Sequence, residues 1–299
     1  MGGLLLVLLL VIVASLSAGV ALAARLARAG RPATVLVAWA ALPAGVTRRT
    51  AGWRWAGVIG GLVAGGAAAG SGALGRGPLL AAPVFGLCVL AGVVIGETSV
   101  RPPGGRTRIA ALEVRRVRDY LPWGLAKGVI AAAAVLLALL AVTTATGPPD
   151  DLGRPGRILL LRCSAALQQG AGPWPGSFYS VPLAAMVVAG LIAAGAALRV
   201  VVRRPRAGAD PATVAADDAM RHRAAQTITG ACGILVGLPL AGVCLVTAGA
   251  LLSLSCRPAW WTSAGWALLA LLPALAALMG WCTVLLLTPG RAVPGTPAR

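Results

Sequence analysis

Few side chains in this sequence can move a proton or hold a metal. There is one histidine, His222, and eight carboxylates in 299 residues. His222 stands in "DPATVAADDAMRHRAAQ", with Asp217 and Asp218 five and four residues before it. On a helix, Asp218 and His222 are one turn apart and within reach of each other. A metal site needs more ligands than one imidazole and two acids at this spacing. The reading here is a solvated helix face. Glu97 closes one apolar run, and Asp150 and Asp151 follow another; no carboxylate or histidine falls at the centre of a run. Ion- and proton-coupled carriers usually place such groups at mid-membrane, so the pattern argues against one. A facilitator lined by Thr143, Thr144, Thr247 and backbone carbonyls stays open as the alternative. The sequence has no Gly-rich phosphate loop, Gly-x-Ser-x-Gly, His-Glu-x-x-His or CxxC motif. The expectation is therefore no catalytic, cofactor-binding or metal-ligating residue, and not an enzyme.

The elements that carry these residues are set by composition. Hydrophobic residues make up 58% of the chain and charged residues 11%, with a mean hydropathy of +0.86. Soluble domains carry roughly a quarter charged residues. A transmembrane helix needs about 20 apolar residues, and seven runs approach or exceed that length: 4–24, 56–74, 79–96, 129–146, 181–202, 227–252 and 263–287. They are too long for barrel strands and lack period-2 alternation. The predicted fold is all-α, a single polytopic transmembrane helix bundle over residues 1–299. The first run has no cationic n-region, and Arg25, Arg28 and Arg31 follow it at once. It therefore reads as a retained helix rather than a signal peptide. The apolar stretch 32–46 is short for a span and reads as an interfacial helix, with an eighth span as the alternative.

Charge gives the orientation. With the N-terminus outside, 21 of the 26 Lys and Arg fall on the inner side and 5 on the outer, the asymmetry of the positive-inside rule. The C-terminus is then cytoplasmic. The same topology explains the densest basic stretch, Gly96 to Gly128, with seven cations against three acids. It lies on the cation-retaining side, facing an anionic leaflet. It lacks the interleaved aromatics of a single-strand binder, so nucleic acid is not an expected partner. The expected partners are the lipid bilayer and another membrane protein. Trp53, Trp55 and Trp123 fall at inner ends, and Trp174, Phe178, Tyr179, Trp260, Trp261 and Trp266 at outer ends, as interfacial belts do. Cations are 25 Arg and one Lys, a bias of GC-rich codons that points to a bacterial cytoplasmic membrane.

Part of the basic stretch, Gly96-Glu97 and Asp119-Tyr120-Leu121-Pro122, resembles a pattern in uncharacterised multi-pass membrane proteins of actinobacteria. The resemblance covers about a tenth of the chain. It implies location and origin, and it carries over no catalytic residue.

Two further sets of residues bear on packing. Gly57, Gly61, Gly65, Gly66 and Gly70 form a small-residue stripe on which another helix can approach closely. The spacing recurs at Gly92 and Gly96, and at Gly233 and Gly237. Pro83, Pro239 and Pro273 fall inside runs, where proline kinks a helix. Cys88, Cys232, Cys244 and Cys282 fall within runs and read as apolar packers. Cys163 and Cys256 alone fall outside them, in two outer loops facing an oxidising space, and are a candidate disulfide. Ahead of Cys163, "RILLLR" reads as an apolar run lying on the membrane surface. The functional expectation is a structural or accessory membrane component, the alternative being an uncoupled permease or export-accessory subunit.

Overall fold

The computed structural model describes residues 44–71, 76–100, 116–149, 153, 156–204 and 211–287. The expected first span at 4–24, most of the stretch 32–46, and Asp150 and Asp151 lie outside the described residues. Among these residues six helices follow in chain order: α1 Ala44–Gly70, α2 Arg76–Thr98, α3 Trp123–Ala145, α4 Ser177–Val202, α5 Pro211–Ser253 and α6 Ala259–Leu287. A single 3-10 turn at Val117–Asp119 precedes α3. Helices α2, α3, α4, α6 and the Val214–Ser253 part of α5 are long and apolar enough to cross a membrane. The chain is a helical membrane protein on that ground. The expected second span is helical as well, but it belongs to a longer helix whose first turns carry Arg48, Arg49 and Arg54, and it is not among those five.

Helix α5 is the axis of the bundle. Two-thirds (67%) of its apolar stretch is buried, against 28–39% for the other four, and it packs on α2, α3, α4 and α6. At 43 residues and a rise of 1.5 Å per residue, it is about 65 Å long. That is about twice a hydrocarbon core, so it carries Asp217 to Gln226 on an extension of the expected span at 227–252. Leu235, fully buried at its middle, fits between two glycines. A Cβ on Gly86 of α2 would come within 2.6 Å of the Leu235 Cα, and one on Gly190 of α4 within 2.4 Å of its Cδ2. Gly233 and Gly237 make the equivalent fit to Cys282 and Met279 of α6.

One face of α1 lies against α2. A Cβ on Gly57 would meet the Cys88 carbonyl at 2.8 Å, one on Gly61 the Phe85 ring at 2.9 Å, and one on Gly65 the Ala81 carbonyl at 3.2 Å. Gly92 and Gly96 close the same seam from α2, against Trp53 and Gly57. Gly66 and Gly70 do not take part: a Cβ on either would meet nothing within 4 Å. The expected stripe of five is a stripe of three, because at about 100° per residue Gly66 and Gly70 lie about 140° and about 180° around the helix from the middle of the Gly57–Gly61–Gly65 row.

Between α3 and α4 the chain forms a small antiparallel hairpin, β1 Leu159–Arg162 and β2 Gln168–Ala171, with Leu159 opposite Ala171 and Arg162 opposite Gln168. The apolar run expected at 158–161 thus forms the first strand of a hairpin. The run is too short for a stable helix, and pairing with 168–171 satisfies its backbone groups. Leu159, Ala171 and Trp174 pack on Ala250, Leu251 and Leu254 at the end of α5. Trp174 and Tyr179 are buried, not members of an interfacial belt; the Trp174 indole donates to the Thr143 carbonyl at 2.9 Å. Trp260 and Trp266, at 67% and 58% exposure, have the surface placement that a belt requires.

Candidate functional site

Polar side chains from three helices and one connection converge at one end of the bundle, where α1, α3 and α5 begin and α2, α4 and α6 end. Thr50 and Arg54 come from the first turns of α1, and Glu97 from the last turn of α2. Arg204 follows α4, and Asp217, Arg221, Arg223 and Thr227 lie along α5. Thr50, Arg54, Glu97, Asp217, Arg221, Arg223 and Thr227 are all buried, Arg221 to 2% exposure and Glu97 to 5%. The sequence reading of Asp217, Asp218 and His222 as a solvated helix face is corrected here. His222 is exposed, but the other side of the same turns faces α2 and Arg204.

Helix ends organise the cluster. The last four carbonyls of a helix lack intrahelical partners, and the C-terminus carries partial negative charge. A guanidinium with five donors suits both needs. Arg204 donates to the Glu97 carbonyl at the end of α2. Arg221 donates to the Arg204 carbonyl just past α4 at 2.9 Å. Arg54 donates to the Leu286 carbonyl at the end of α6 at 2.9 Å, and to the Thr50 carbonyl of its own helix at 3.2 Å. At the opposite end, Arg257 donates to the Leu252 carbonyl of α5 and to that of Leu254 just past it, at 2.8 Å each, and Trp174 to α3 as given above. Each of helices α2, α3, α5 and α6, and the connection closing α4, therefore ends on a side-chain donor.

Carboxylates balance the guanidiniums. Asp217 pairs with Arg221 at 2.7 Å, one helical turn away, and Asp218 lies 3.5 Å from the same guanidinium. The Tyr120 hydroxyl donates to Asp218 at 3.1 Å, and its ring lies 4.9 Å from that of His222. Asp218 is thus held by Tyr120 and Arg221. Burial pushes the Tyr120 phenol above its ordinary value and draws Arg204 below its own, with Glu97 opposing the latter. Glu97 accepts from the Thr227 hydroxyl at 3.4 Å, and Arg223, Arg54 and Arg204 are close enough to act on its charge. Arg223 donates to the Thr50 hydroxyl at 3.0 Å. Among the described residues, no three of His, Cys, Asp and Glu stand together as metal ligands do.

Other residues singled out by sequence take structural places. Thr143 donates back to the Leu139 and Leu140 carbonyls at 2.9 and 3.2 Å. Thr247 is buried. Cys163 and Cys256 are joined as a disulfide with Cα atoms 5.7 Å apart, while Cys88, Cys232, Cys244 and Cys282 are free thiols. Beside the bridge, Gln169 of β2 donates to the Ser255 hydroxyl at 2.6 Å and accepts from the Ser255 amide at 3.0 Å. Sequence reasoning missed Thr50, Arg54, Arg223 and Thr227 as site residues. The legible signal was the i,i+4 spacing of Asp217 and Arg221.

Comparison with models of protein families, with curated proteins and with solved structures found no match.

Proposed function

We propose that the chain is a non-enzymatic structural or accessory component of a bacterial cytoplasmic membrane, with about seven spans, the N-terminus outside and the C-terminus inside. The observation that carries the reading is the use made of buried polar groups. The guanidiniums of Arg54, Arg204 and Arg221 are committed to helix-end carbonyls, and the Thr143 hydroxyl to its own helix. These are contacts that hold helices in place. The helices supporting them are in backbone-to-backbone contact at Gly57, Gly86 and Gly92, a packing suited to a rigid frame. The 21-to-5 division of cations supports the orientation, and the likeness of Gly96-Glu97 and Asp119 to Pro122 to actinobacterial membrane proteins agrees with the location.

Reconstitution tests the role. Liposomes holding the purified protein pass small solutes no faster than protein-free liposomes on this reading; saturable uptake would favour the uncoupled permease. Reporter fusions test the topology, with residue 165 expected outside and residues 110, 210 and 295 inside.

A further inference from the structure

We propose that the cleft between the end of α2, the chain leaving α4 and the first third of α5 binds a phosphate group. Thr50, Glu97, Arg204, Asp217, Arg221 and Arg223 supply its polar lining. Arg223 differs from the other guanidiniums of the cluster. Arg54, Arg204 and Arg221 each close a helix end, whereas among the described residues Arg223 donates to the Thr50 hydroxyl. Its Nε is buried with no acceptor among the described residues, and so is the Nε of Arg221. Both side chains are more than nine-tenths buried, at 5% and 2% exposure, and both line the cleft. A buried donor left unmade is costly, and a guanidinium more so, because its charge is desolvated as well.

Charge fixes the sign of the ligand. Three guanidiniums line the cleft against two carboxylates, and Asp217 is already held by Arg221 at 2.7 Å. The surplus is positive, which favours an anion. Phosphate oxygens accept from several donors at once and match the guanidinium fork. The cleft opens where α2 and α4 end, the level of lipid headgroups around a spanning bundle, and basic pockets between helices at that level take anionic headgroups. A phosphodiester headgroup and free phosphate share this chemistry. The inference goes beyond the accessory role and holds whether or not the chain transports a solute.

Thermal unfolding of the full-length protein in neutral detergent tests it. The probes are dioleoylphosphatidylglycerol, oleate as an anion without phosphate, dioleoylglycerol as a neutral control, and inorganic phosphate against chloride at matched ionic strength. Phosphatidylglycerol is expected to raise the apparent midpoint by about 3 °C, and Arg223→Gln to weaken its apparent affinity about tenfold. If that variant does not fold, Glu97→Gln/Arg223→Gln keeps the charge balance while removing the donor, and must show the same loss. A rise with phosphatidylglycerol alone supports a headgroup site; a rise with inorganic phosphate as well supports a site for phosphate from either source. No rise with either, an equal rise with oleate, or full retention of the response in the variants overturns the proposal.

Discussion

The two ends of the bundle are secured by different physics. At one end, the chain closes on itself through charge. Arg54, Arg204 and Arg221 reach carbonyls at three helix ends, and Glu97 and Asp217 offset their charge. At the other end, Arg257 also reaches carbonyls at the end of α5, but without a buried carboxylate among the described residues, and a covalent and apolar tie is added. The Cys163–Cys256 bridge ties the hairpin to the chain leaving α5, and Leu159, Ala171 and Trp174 pack beneath it. The cost of error differs accordingly. A buried ion cluster fails when one partner is removed, because the remaining charge is left desolvated. A disulfide acts mainly on the unfolded chain, so its loss lowers stability without leaving an unpaired charge in the folded state.

Substitution at Glu97 is expected to give the largest effect and would break the charged end alone. Glu97→Ala leaves Arg54, Arg204 and Arg223 facing a lost carboxylate, which costs about 3–5 kcal/mol for a buried pair. Glu97→Gln keeps an acceptor for Thr227 and loses less. Unfolding titrations in mixed micelles measure both. At the covalent end, Cys163→Ala/Cys256→Ala opens a loop with a sequence separation of 93 and costs about 2–4 kcal/mol. Combined with Glu97→Gln, it should be additive within about 0.5 kcal/mol, as distant sites are; strong coupling would deny that the two ends are separate.

Between the ends, the α1–α2 seam supplies a control. Gly61→Leu forces a side chain into Phe85 and costs about 1–3 kcal/mol by overpacking. Gly66→Leu meets open space and should leave the unfolding midpoint unchanged. Equal effects at the two positions would contradict the three-glycine seam.

Among the substitutions expected to lower stability, the smallest effect belongs to Tyr120, at the edge of the charged end. Tyr120→Phe removes the bond to Asp218 and costs about 1 kcal/mol. Burial raises the folded phenol above its ordinary value, so the neutral form is favoured by folding. Its contribution is present in full below the unfolded value of about 10 and is lost as pH rises through the folded value. Wild type and Tyr120→Phe should therefore converge in stability under strongly alkaline conditions, as followed by the unfolding midpoint against pH.

Helices were legible in the sequence because each is a long apolar run, and a run of 18 or more such residues has few other solutions in a bilayer. Their extensions were not. Helix α5 continues back through Ala215 to Gln226, where the buried positions include charged residues, Asp217, Arg221 and Arg223, so that no apolar run marks the helix. Gly57, Gly61 and Gly65 were legible by spacing, yet which side of α1 faces α2 depends on Phe85 and Cys88, more than twenty residues away. Cys163 and Cys256 could be paired by elimination, whereas the hairpin that presents Cys163 depends on Gln168 to Ala171, a segment without strand-like alternation. Glu97 was visible as a carboxylate at a helix end. Its partners were not, since Arg54, Arg204 and Arg223 arrive from three separate stretches, and only the tertiary fold brings helix-end carbonyls and guanidiniums together.

Hydrogen–deuterium exchange along the whole chain, read by mass spectrometry under two perturbations, tests the separate closure of the two ends most directly. Reduction of the Cys163–Cys256 bridge should speed exchange in 159–171 and at the end of α5 while leaving 217–227 and the last turns of α2 unchanged. Arg204→Gln, which frees the Glu97 carbonyl, should do the reverse. Exchange that rises at both ends under either perturbation would contradict the account.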